Sequence, residues 1–234
     1  MDSIPFAGDE HFFADLPDMV DDDLVSAARA CLAAQREAAD RKSFRPTDRA
    51  AELVSEEALA KVLGAGRTIH GLLRQREISN VISFNLRHID DSITSERVRS
   101  RRRRVDELMK HRLHRAFESR RPLDVTLDGH FWCPPGGYTG WHENRGAPGW
   151  RFFLTHAEEP RKSFLRYREP RTGEIVTSWD SEWDLRALRI DPRRPLWHAV
   201  HSETNRFSFG YVVCEPQPFG ELRRKVRGLL STTR

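Results

Sequence analysis

The stretch PLWHAVHSETNRFSFGY, residues 195–211, decides how we interpret the fold. It contains two short runs with a strand-like pattern, separated by the polar segment SETN, which is typical of a strand, a turn and a second strand. Side chains two positions apart on a strand point to the same face, so Arg206 and Ser208 can contact one ligand together. A guanidinium offers a fixed pair of donors that matches a carboxylate, and the hydroxyl adds another hydrogen bond. We therefore predict a carboxylate-binding position on the second strand.

The same pattern of short strands and turns extends over residues 122–234. The strand-like runs are separated by segments rich in proline and glycine, such as PPGG, APG, EPRTG and DPRRP. Seven such runs without long helical patterns between them predict a barrel or jelly roll, not alternating strands and helices. The tail ELRRKVRGLL (221–230) is predicted to return to helix. The seven runs are DVTLDGHFW, WRFFLTHA, KSFLRYRE, GEIVTSWD, DLRALRID, PLWHAVHS and NRFSFGYVV.

Residues 1–121 have a mainly helical pattern instead. Helices are predicted over 22–40 and 56–63, and residues 77–87 are either a strand or a linker. The arginine-rich segment 97–121 has apolar residues at spacings of three and four, which predicts an amphipathic helix. We favour a solvated arginine face for this helix, and contact with nucleic acid or an acidic partner is the alternative.

Composition describes a soluble chain that is large enough for an enzyme. Its 234 residues are 38% hydrophobic, and the formal net charge is +4. No segment approaches the roughly 18 apolar residues that span a bilayer, and the N-terminus lacks the pattern of a secretion signal, so we expect a cytoplasmic protein without a membrane partner. Cys31, Cys133 and Cys214 are odd in number and far apart, and we interpret them as ordinary thiols.

Two histidines in the β-rich half are candidate metal ligands. His142 follows a glycine-rich turn in PPGGYTGWHEN (134–144), and His198 lies 56 residues later in PLWH. Ligands on two different strands could meet at the mouth of a barrel. Because each histidine follows a tryptophan, either one taken alone would more simply be a hydrogen-bonded core residue. Their occurrence together with Arg206 and Ser208 favours a metal site.

These motifs resemble the 2-oxoglutarate/Fe(II)-dependent dioxygenase superfamily. The H-x-N of residues 142–144, the distal PLWH and the segment NRFSFG are similar to its H-x-D/E, distal His and Arg-x-Ser pattern, as in small phage and bacterial members, over residues 123–214. The resemblance implies a double-stranded β-helix (jelly-roll or cupin-like) core with N-terminal helices packed on it, with Fe(II), 2-oxoglutarate and O2 as cofactors. It implies that His142 and His198 bind iron, that Arg206 and Ser208 bind the distal carboxylate of 2-oxoglutarate, and that Tyr138 contacts the co-substrate or lines its pocket.

One position departs from the family pattern. Asn144 stands where the family has its carboxylate ligand, and Glu143 on a regular strand would point to the opposite face unless the backbone bulges. Asn144 could bind iron through its amide oxygen, the site could use two histidines and water, or the position could admit a halide as in related halogenases. We favour a hydroxylase of an unactivated C–H bond that produces succinate and CO2, because the asparagine fills space that a halide needs.

Other residues and functions remain open at this point. Arg151 and Trp141 are candidate contacts for a small-molecule or peptide substrate, and Arg151 could equally be solvated. His130 and His156 are expected to be structural or to line the pocket. Asp180 is a less favoured source of the missing carboxylate. The alternatives to a hydroxylase are a related halogenase, a metal-dependent cupin of other chemistry, and a non-catalytic module that binds nucleic acid or an acidic partner through the 97–121 helix.

Overall fold

The computed structural model describes residues 11–38, 44–64, 79–85, 96–117, 124–144 and 148–214. The predicted C-terminal helix over 221–230 lies outside them. The helices are α1 (Asp22–Ala38), α2 (Ala50–Leu53), α3 (Glu56–Gly64) and α4 (Glu96–Ala116), with a 3-10 turn at Pro17–Met19. The strands are β1 (Phe13–Asp15), β2 (Ser79–Asn80), β3 (Ile82–Asn85), β4 (Asp124–Cys133), β5 (Gly137–His142), β6 (Gly149–Ala157), β7 (Ser163–Arg168), β8 (Ile175–Trp179), β9 (Trp183–Ile190), β10 (His198–Ser202) and β11 (Arg206–Cys214).

The strands form two antiparallel sheets. Within the described residues, the larger sheet has the order β1-β9-β6-β11-β4-β3, and the smaller has the order β2-β5-β10-β7-β8. From β4 to β11 the chain passes back and forth between the sheets, so that β4, β6, β9 and β11 belong to one and β5, β7, β8 and β10 to the other. This winding is a double-stranded β-helix, and it confirms the predicted fold class. Among the strands from β4 to β11, the sequence pattern missed β5, because its glycines and an irregular register hide the alternation.

Two β-bulges change which side chains enter the space between the sheets. His198 pairs with His142 and Val200 with Thr139, so β5 contributes an extra residue opposite β10. Likewise Phe209 pairs with His130 and Tyr211 with Leu127, so β4 carries an extra residue opposite β11. A bulge reverses the alternation of faces beyond it. Side chains that a regular strand would turn outward therefore point inward.

The larger sheet is covered by α1 and α4. The buried side chains of α4, Val105, Met109 and Leu113 among them, pack with those of α1 against the outer face of the sheet. This matches the predicted amphipathic helix. Some arginines of α4 form ion pairs with the protein's own acids, such as Arg97 with Glu37. The exposed face of α4 is therefore paired in part within the protein, and contact with nucleic acid or an acidic partner stays a prediction.

The smaller sheet is covered by α2 and α3. Val54, Leu59 and Val62 pack against Tyr138 and neighbouring side chains of β5 and β10. Residues 77–87, which the sequence left undecided, contain β2 and β3. Cys31 and Cys133 are buried free thiols, as expected. Across the described residues, the structure has no helix with the length and hydrophobicity of a transmembrane span.

Candidate active site

A cavity of about 220 Å³ lies between the two sheets of the β-helix. Its volume is below the roughly 300–1,000 Å³ of pockets that hold drug-sized ligands. Side chains from both sheets line it, so residues far apart in sequence meet there. The polar lining residues include His142, Asn144 and His198 on one side, and Asp128, Arg151, Thr155, Arg186, Arg206 and Ser208 from the larger sheet.

His142 and His198 lie side by side at the edge of this cavity. Their ring centroids are 4.1 Å apart. The Nδ1 atom of His142 lies 2.9 Å from the Gly140 carbonyl oxygen, and the Nδ1 atom of His198 lies 2.9 Å from the Leu196 carbonyl oxygen. A carbonyl oxygen only accepts hydrogen bonds, so each Nδ1 carries the proton and each Nε2 keeps its lone pair. This is the tautomer in which a histidine binds a metal through Nε2.

Electrostatics keep His198 neutral. Burial lowers its pKa well below the usual value, and the neighbouring His142 ring and the charge of Arg151 lower it further. A neutral imidazole is the form that coordinates a metal ion. His198 therefore meets the chemical requirement for a nitrogen ligand.

Asn144 completes the polar group around these rings. Its amide nitrogen lies 3.3 Å from His198 Nε2, and since the two ends of an amide differ little in shape, the oxygen can take the same place after a flip. Within the described residues, no third His, Cys, Asp or Glu joins the two histidines in an arrangement that could hold a metal. Two imidazoles and an amide fit a divalent transition metal with positions left for water or a chelating ligand.

Arg206 lies in the same cavity on β11, with Ser208 on the same face of the strand. Arg206 Nε donates to Asp180 Oδ2 at 2.8 Å, and Nη2 lies 3.4 Å from Thr155 Oγ1. Within the described part of the chain, Nη1 has no hydrogen-bond partner. The guanidinium is thus held along one edge and keeps donors for a further anion.

Asp180 is the residue that holds Arg206. Its side chain is fully buried; it accepts a hydrogen bond from Ser163 Oγ at 2.5 Å and forms an ion pair with Arg186. Burial by itself would raise the pKa of Asp180, but Arg206 and Arg186 outweigh burial, and the pKa lies below its usual value. The carboxylate therefore stays charged between two guanidiniums. It is committed to these arginines and is not the carboxylate missing from the histidine pair.

Arg151 forms an ion pair with Asp128 on the larger sheet. Both residues line the cavity, and their side chains are only 5% and 19% exposed, respectively. The sequence did not single out Asp128, although the Asp-Gly pair inside a strand pattern was a signal for a bulge. The sequence analysis also did not predict that Thr155 lines the cavity.

Two of the sequence-predicted residues were placed wrongly. Tyr138 and Trp141 do not face the cavity but pack outward against α2 and α3, and Trp141 Nε1 donates to the Ser55 carbonyl oxygen at 2.7 Å. The bulge in β5 is the cause for Tyr138, because with both Thr139 and His142 inward Tyr138 lies on the other face. Trp141 lies on that face by the ordinary alternation with His142. The structure thus corrects the predicted co-substrate contact of Tyr138 and the predicted substrate contact of Trp141.

The two other histidines that the sequence analysis considered as structural or pocket-lining, His130 and His156, lie elsewhere. His130 is buried under α1, where the side-chain amide of Gln35 contacts its Nε2 and the Phe209 ring centroid is 4.4 Å from its own. His156 stacks on Trp183. Neither residue lines the cavity, so both are structural, in agreement with that part of the expectation.

Comparison with known proteins finds similarity in structure only. No protein-family model matches the chain, and no curated protein has a significantly similar sequence. A prolyl-4-hydroxylase of Pseudomonas putida is 13% identical, with a TM-score of 0.49 over 88% of this chain and 94% of that chain. A prolyl hydroxylase of Trichoplax adhaerens, solved with a peptide fragment of hypoxia inducible factor, is 10% identical, with a TM-score of 0.47 over 86% and 82%. The collagen prolyl hydroxylase of Paramecium bursaria Chlorella virus 1, solved with 2-oxoglutarate, is 8% identical, with a TM-score of 0.44 over 88% and 98%.

Proposed function

We propose that this protein is an Fe(II)- and 2-oxoglutarate-dependent oxygenase that hydroxylates an unactivated C–H bond of an amino acid, peptide or small natural product. The observation that carries the proposal is the convergence of His142, His198 and Asn144 with Arg206 and Ser208 in one cavity. The sequence resemblance pointed to the same five residues. The overall reaction consumes the substrate, 2-oxoglutarate and O2, and yields the hydroxylated substrate, succinate and CO2.

Each group of side chains has a separate task in this proposal. The Nε2 atoms of His142 and His198 would hold Fe(II), with Asn144 as a third ligand or as the partner of a bound water. The iron, when bound, supplies the oxidising chemistry with O2 and 2-oxoglutarate. Arg206 and Ser208 would bind the distal carboxylate of 2-oxoglutarate, because the free Nη1 edge and the hydroxyl face the cavity together.

The apolar part of the lining protects this chemistry. Phe131, Phe153, Leu165 and Val200 line the cavity between the polar groups. They exclude water from the site, which strengthens the interaction of charged groups with their ligands and limits side reactions. The substrate C–H bond needs no hydrogen bond, so apolar walls are suited to position it.

Asn144 bears on the type of oxidation. A halogenase needs an open ligand position for a halide, and the Asn144 side chain lies in the cavity next to His198. The space is therefore taken by an amide. This occupancy favours hydroxylation over halogenation.

Anaerobic titration with Fe(II) and then with 2-oxoglutarate tests the proposed function directly. We expect the visible charge-transfer band of the iron–2-oxoglutarate chelate to appear in the wild-type protein and to be lost in His198→Ala. The matched control is His111→Ala, which removes an exposed histidine of α4 and should leave the band unchanged. A wild-type protein that gives no band, or a His198→Ala variant that keeps it, would contradict the proposal.

A further inference from the structure

The ion pair of Arg151 and Asp128 is the second charged group in the cavity, and the proposed iron and 2-oxoglutarate positions do not use it. Arg151 lies on β6, on the same inward face as Phe153 and Thr155. Thr155 lies beside Arg206, whereas Arg151 is four residues away along the strand, about 13 Å at the usual rise. Arg151 therefore lines the end of this face that is away from Arg206.

The backbone of β4 is deformed at the point where it supplies Asp128. The extra residue opposite β11 falls at Asp128–Gly129, and Gly129 has φ of 116°, a conformation that side chains other than glycine rarely adopt. On a regular strand with Phe131 facing inward, Gly129 would face inward too and Asp128 outward. The bulge is thus what brings the carboxylate to Arg151.

Burying two charges is costly even when they are paired, because both lose their hydration. A pair that only held the sheet together could be replaced by apolar side chains without loss. This pair instead lines a cavity, and the Asp128 side chain keeps 19% of its exposure, so a ligand can reach it. The arrangement suits a site in which a ligand exchanges with the ion pair.

The charge of the pair limits what it can bind. A ligand with one negative charge that engaged Arg151 would leave the carboxylate of Asp128 without its counter-charge, and a cation on Asp128 would do the same to Arg151. A small zwitterion satisfies both, since its carboxylate replaces Asp128 on the guanidinium and its ammonium replaces the guanidinium on Asp128. The volume of about 220 Å³, which also has to accommodate the co-substrate, excludes a large substrate.

We propose that Arg151 and Asp128 bind the carboxylate and the ammonium group of a free α-amino acid, and that this amino acid is the substrate that the enzyme oxidises. The inference rests on the proposed oxygenase function and makes it specific. Phe153 and Phe131, which neighbour the pair on the same face of β6 and β4, would contact the apolar part of the amino-acid side chain. A peptide segment has neither free group on the oxidised residue and would bind poorly.

The experiment uses the full-length protein, anaerobic and saturated with Fe(II) and 2-oxoglutarate, and titrates it calorimetrically with the common free L-amino acids. For the tightest binder, three analogues are then compared: the acid without the amino group, the amine without the carboxyl group, and the N-acetylated amide as a peptide mimic. We expect each analogue to bind at least about 30-fold more weakly than the zwitterion, since each leaves a buried charge without its partner. An analogue that binds as tightly as the zwitterion would overturn the inference.

Two variants test which residue binds the ammonium group of the amino acid and which binds its carboxylate. Asp128→Asn should weaken binding of the amino acid by about 30-fold or more and should tighten binding of the acid without the amino group, because that complex no longer contains an unpaired carboxylate. Arg151→Gln should likewise weaken binding of the amino acid and tighten binding of the amine. The matched controls are Asp124→Asn, at an exposed position of the same strand, and Arg193→Gln, at an exposed turn; both should bind as the wild type does. Variants of Asp128 and Arg151 that bind every compound as the wild type does would refute the assignment.

Titration with 2-oxoglutarate separates the two proposals. A wild-type protein that binds 2-oxoglutarate but none of the amino acids would overturn this inference and leave the oxygenase proposal standing. Conversely, absence of 2-oxoglutarate binding would overturn the oxygenase proposal. The amino-acid titration would still show whether Arg151 and Asp128 bind a zwitterion. The analogue comparison is made on the wild type, so the inference stays testable even if a variant does not fold.

Discussion

His142 and His198 each donate Nδ1–H to the carbonyl oxygen two residues earlier in the chain, at 2.9 Å in both cases. The same local hydrogen bond therefore fixes both tautomers and both ring orientations. No distant partner is needed to direct the Nε2 atoms. This explains how two strands of the smaller sheet can present a preorganised pair of nitrogen ligands.

Asn144 is the residue whose replacement is most informative about the metal. Asn144→Asp restores the carboxylate of the family pattern, and a carboxylate binds a divalent metal more strongly than an amide. We expect Fe(II) to bind at least about tenfold more tightly, which corresponds to roughly 1.4 kcal/mol. Calorimetric titration with Fe(II) under anaerobic conditions measures the change.

The control for this variant is Glu143→Gln, which removes a carboxylate from the neighbouring position that does not line the cavity. It should leave Fe(II) affinity unchanged. Unaltered affinity in Asn144→Asp would place Asn144 outside the coordination of the metal, and a loss in Glu143→Gln would reassign the third ligand.

Asp180 is predicted to act through Arg206. Asp180→Asn keeps the size of the side chain but removes the charge that holds Arg206 Nε, so 2-oxoglutarate should bind about 10- to 100-fold more weakly, as when outer-shell partners of other ligands are removed. The loss of a fully buried partner should also lower the free energy of unfolding by about 3 kcal/mol. 2-Oxoglutarate titration and urea denaturation measure the two effects.

The acid dependence of stability tests the same residue. Because the pKa of Asp180 is lower in the folded state, its contribution is present above the unfolded-state pKa and is lost as pH falls through the folded-state pKa. Asp180→Asn lacks this titration, so its stability should fall less than that of the wild type upon acidification. An equal fall in both proteins would show that Asp180 is not stabilised by the two arginines.

At the scale of secondary-structure elements, the two bulges determine the composition of the cavity. The bulge in β5 brings His142 inward, and the bulge in β4 brings Asp128 inward. Each adds one residue to a strand at the wall of the candidate site, a location where bulges commonly redirect functional side chains. The same bulge in β5 turns Tyr138 toward α2 and α3, so helix packing and site geometry are coupled through one strand.

Replacement of Gly129 tests whether the bulge in β4 constrains the backbone at this position. A Cβ at this position would lie 2.5 Å from Phe131 Cε2, and φ is 116°, so Gly129→Ala should destabilise the fold by about 1–3 kcal/mol. Urea denaturation gives the free energy of unfolding. Gly64→Ala is the matched control, because a Cβ there has no neighbour within 4 Å, and we expect little change. If the two variants were equally stable, the β4 backbone would not be constrained at Gly129.

At the scale of the whole molecule, the cavity joins the two sheets. The two histidines lie on the smaller sheet and Arg206 on the larger, so a ligand that contacts both must hold the sheets together. Anaerobic Fe(II) with 2-oxoglutarate should therefore raise the melting temperature, since a ligand at 100 times its dissociation constant adds about 2.7 kcal/mol of stability.

Differential scanning fluorimetry measures this shift, and succinate serves as the control ligand because it is a dicarboxylate one carbon shorter than 2-oxoglutarate and lacks the 2-keto acid group that chelates iron. We expect a smaller shift with succinate, and loss of the full effect in His198→Ala and in Arg206→Ala. Equal shifts with 2-oxoglutarate in the wild type and both variants would mean that the ligand binds elsewhere.

The sequence by itself predicted the class of fold and six of the cavity residues, which are His142, Asn144, Arg151, His198, Arg206 and Ser208. Strand length, turn composition and the two-residue spacing of Arg206 and Ser208 are local properties. Local patterns can be recognised without knowing which strands pair with which. Only the tertiary structure decided which face Tyr138 of β5 and Asp128 of β4 present, and it moved Tyr138 out of the site and brought Asp128 into it. The reason is physical: a bulge is fixed by the register between paired strands, and a single extra residue reverses every side chain beyond it.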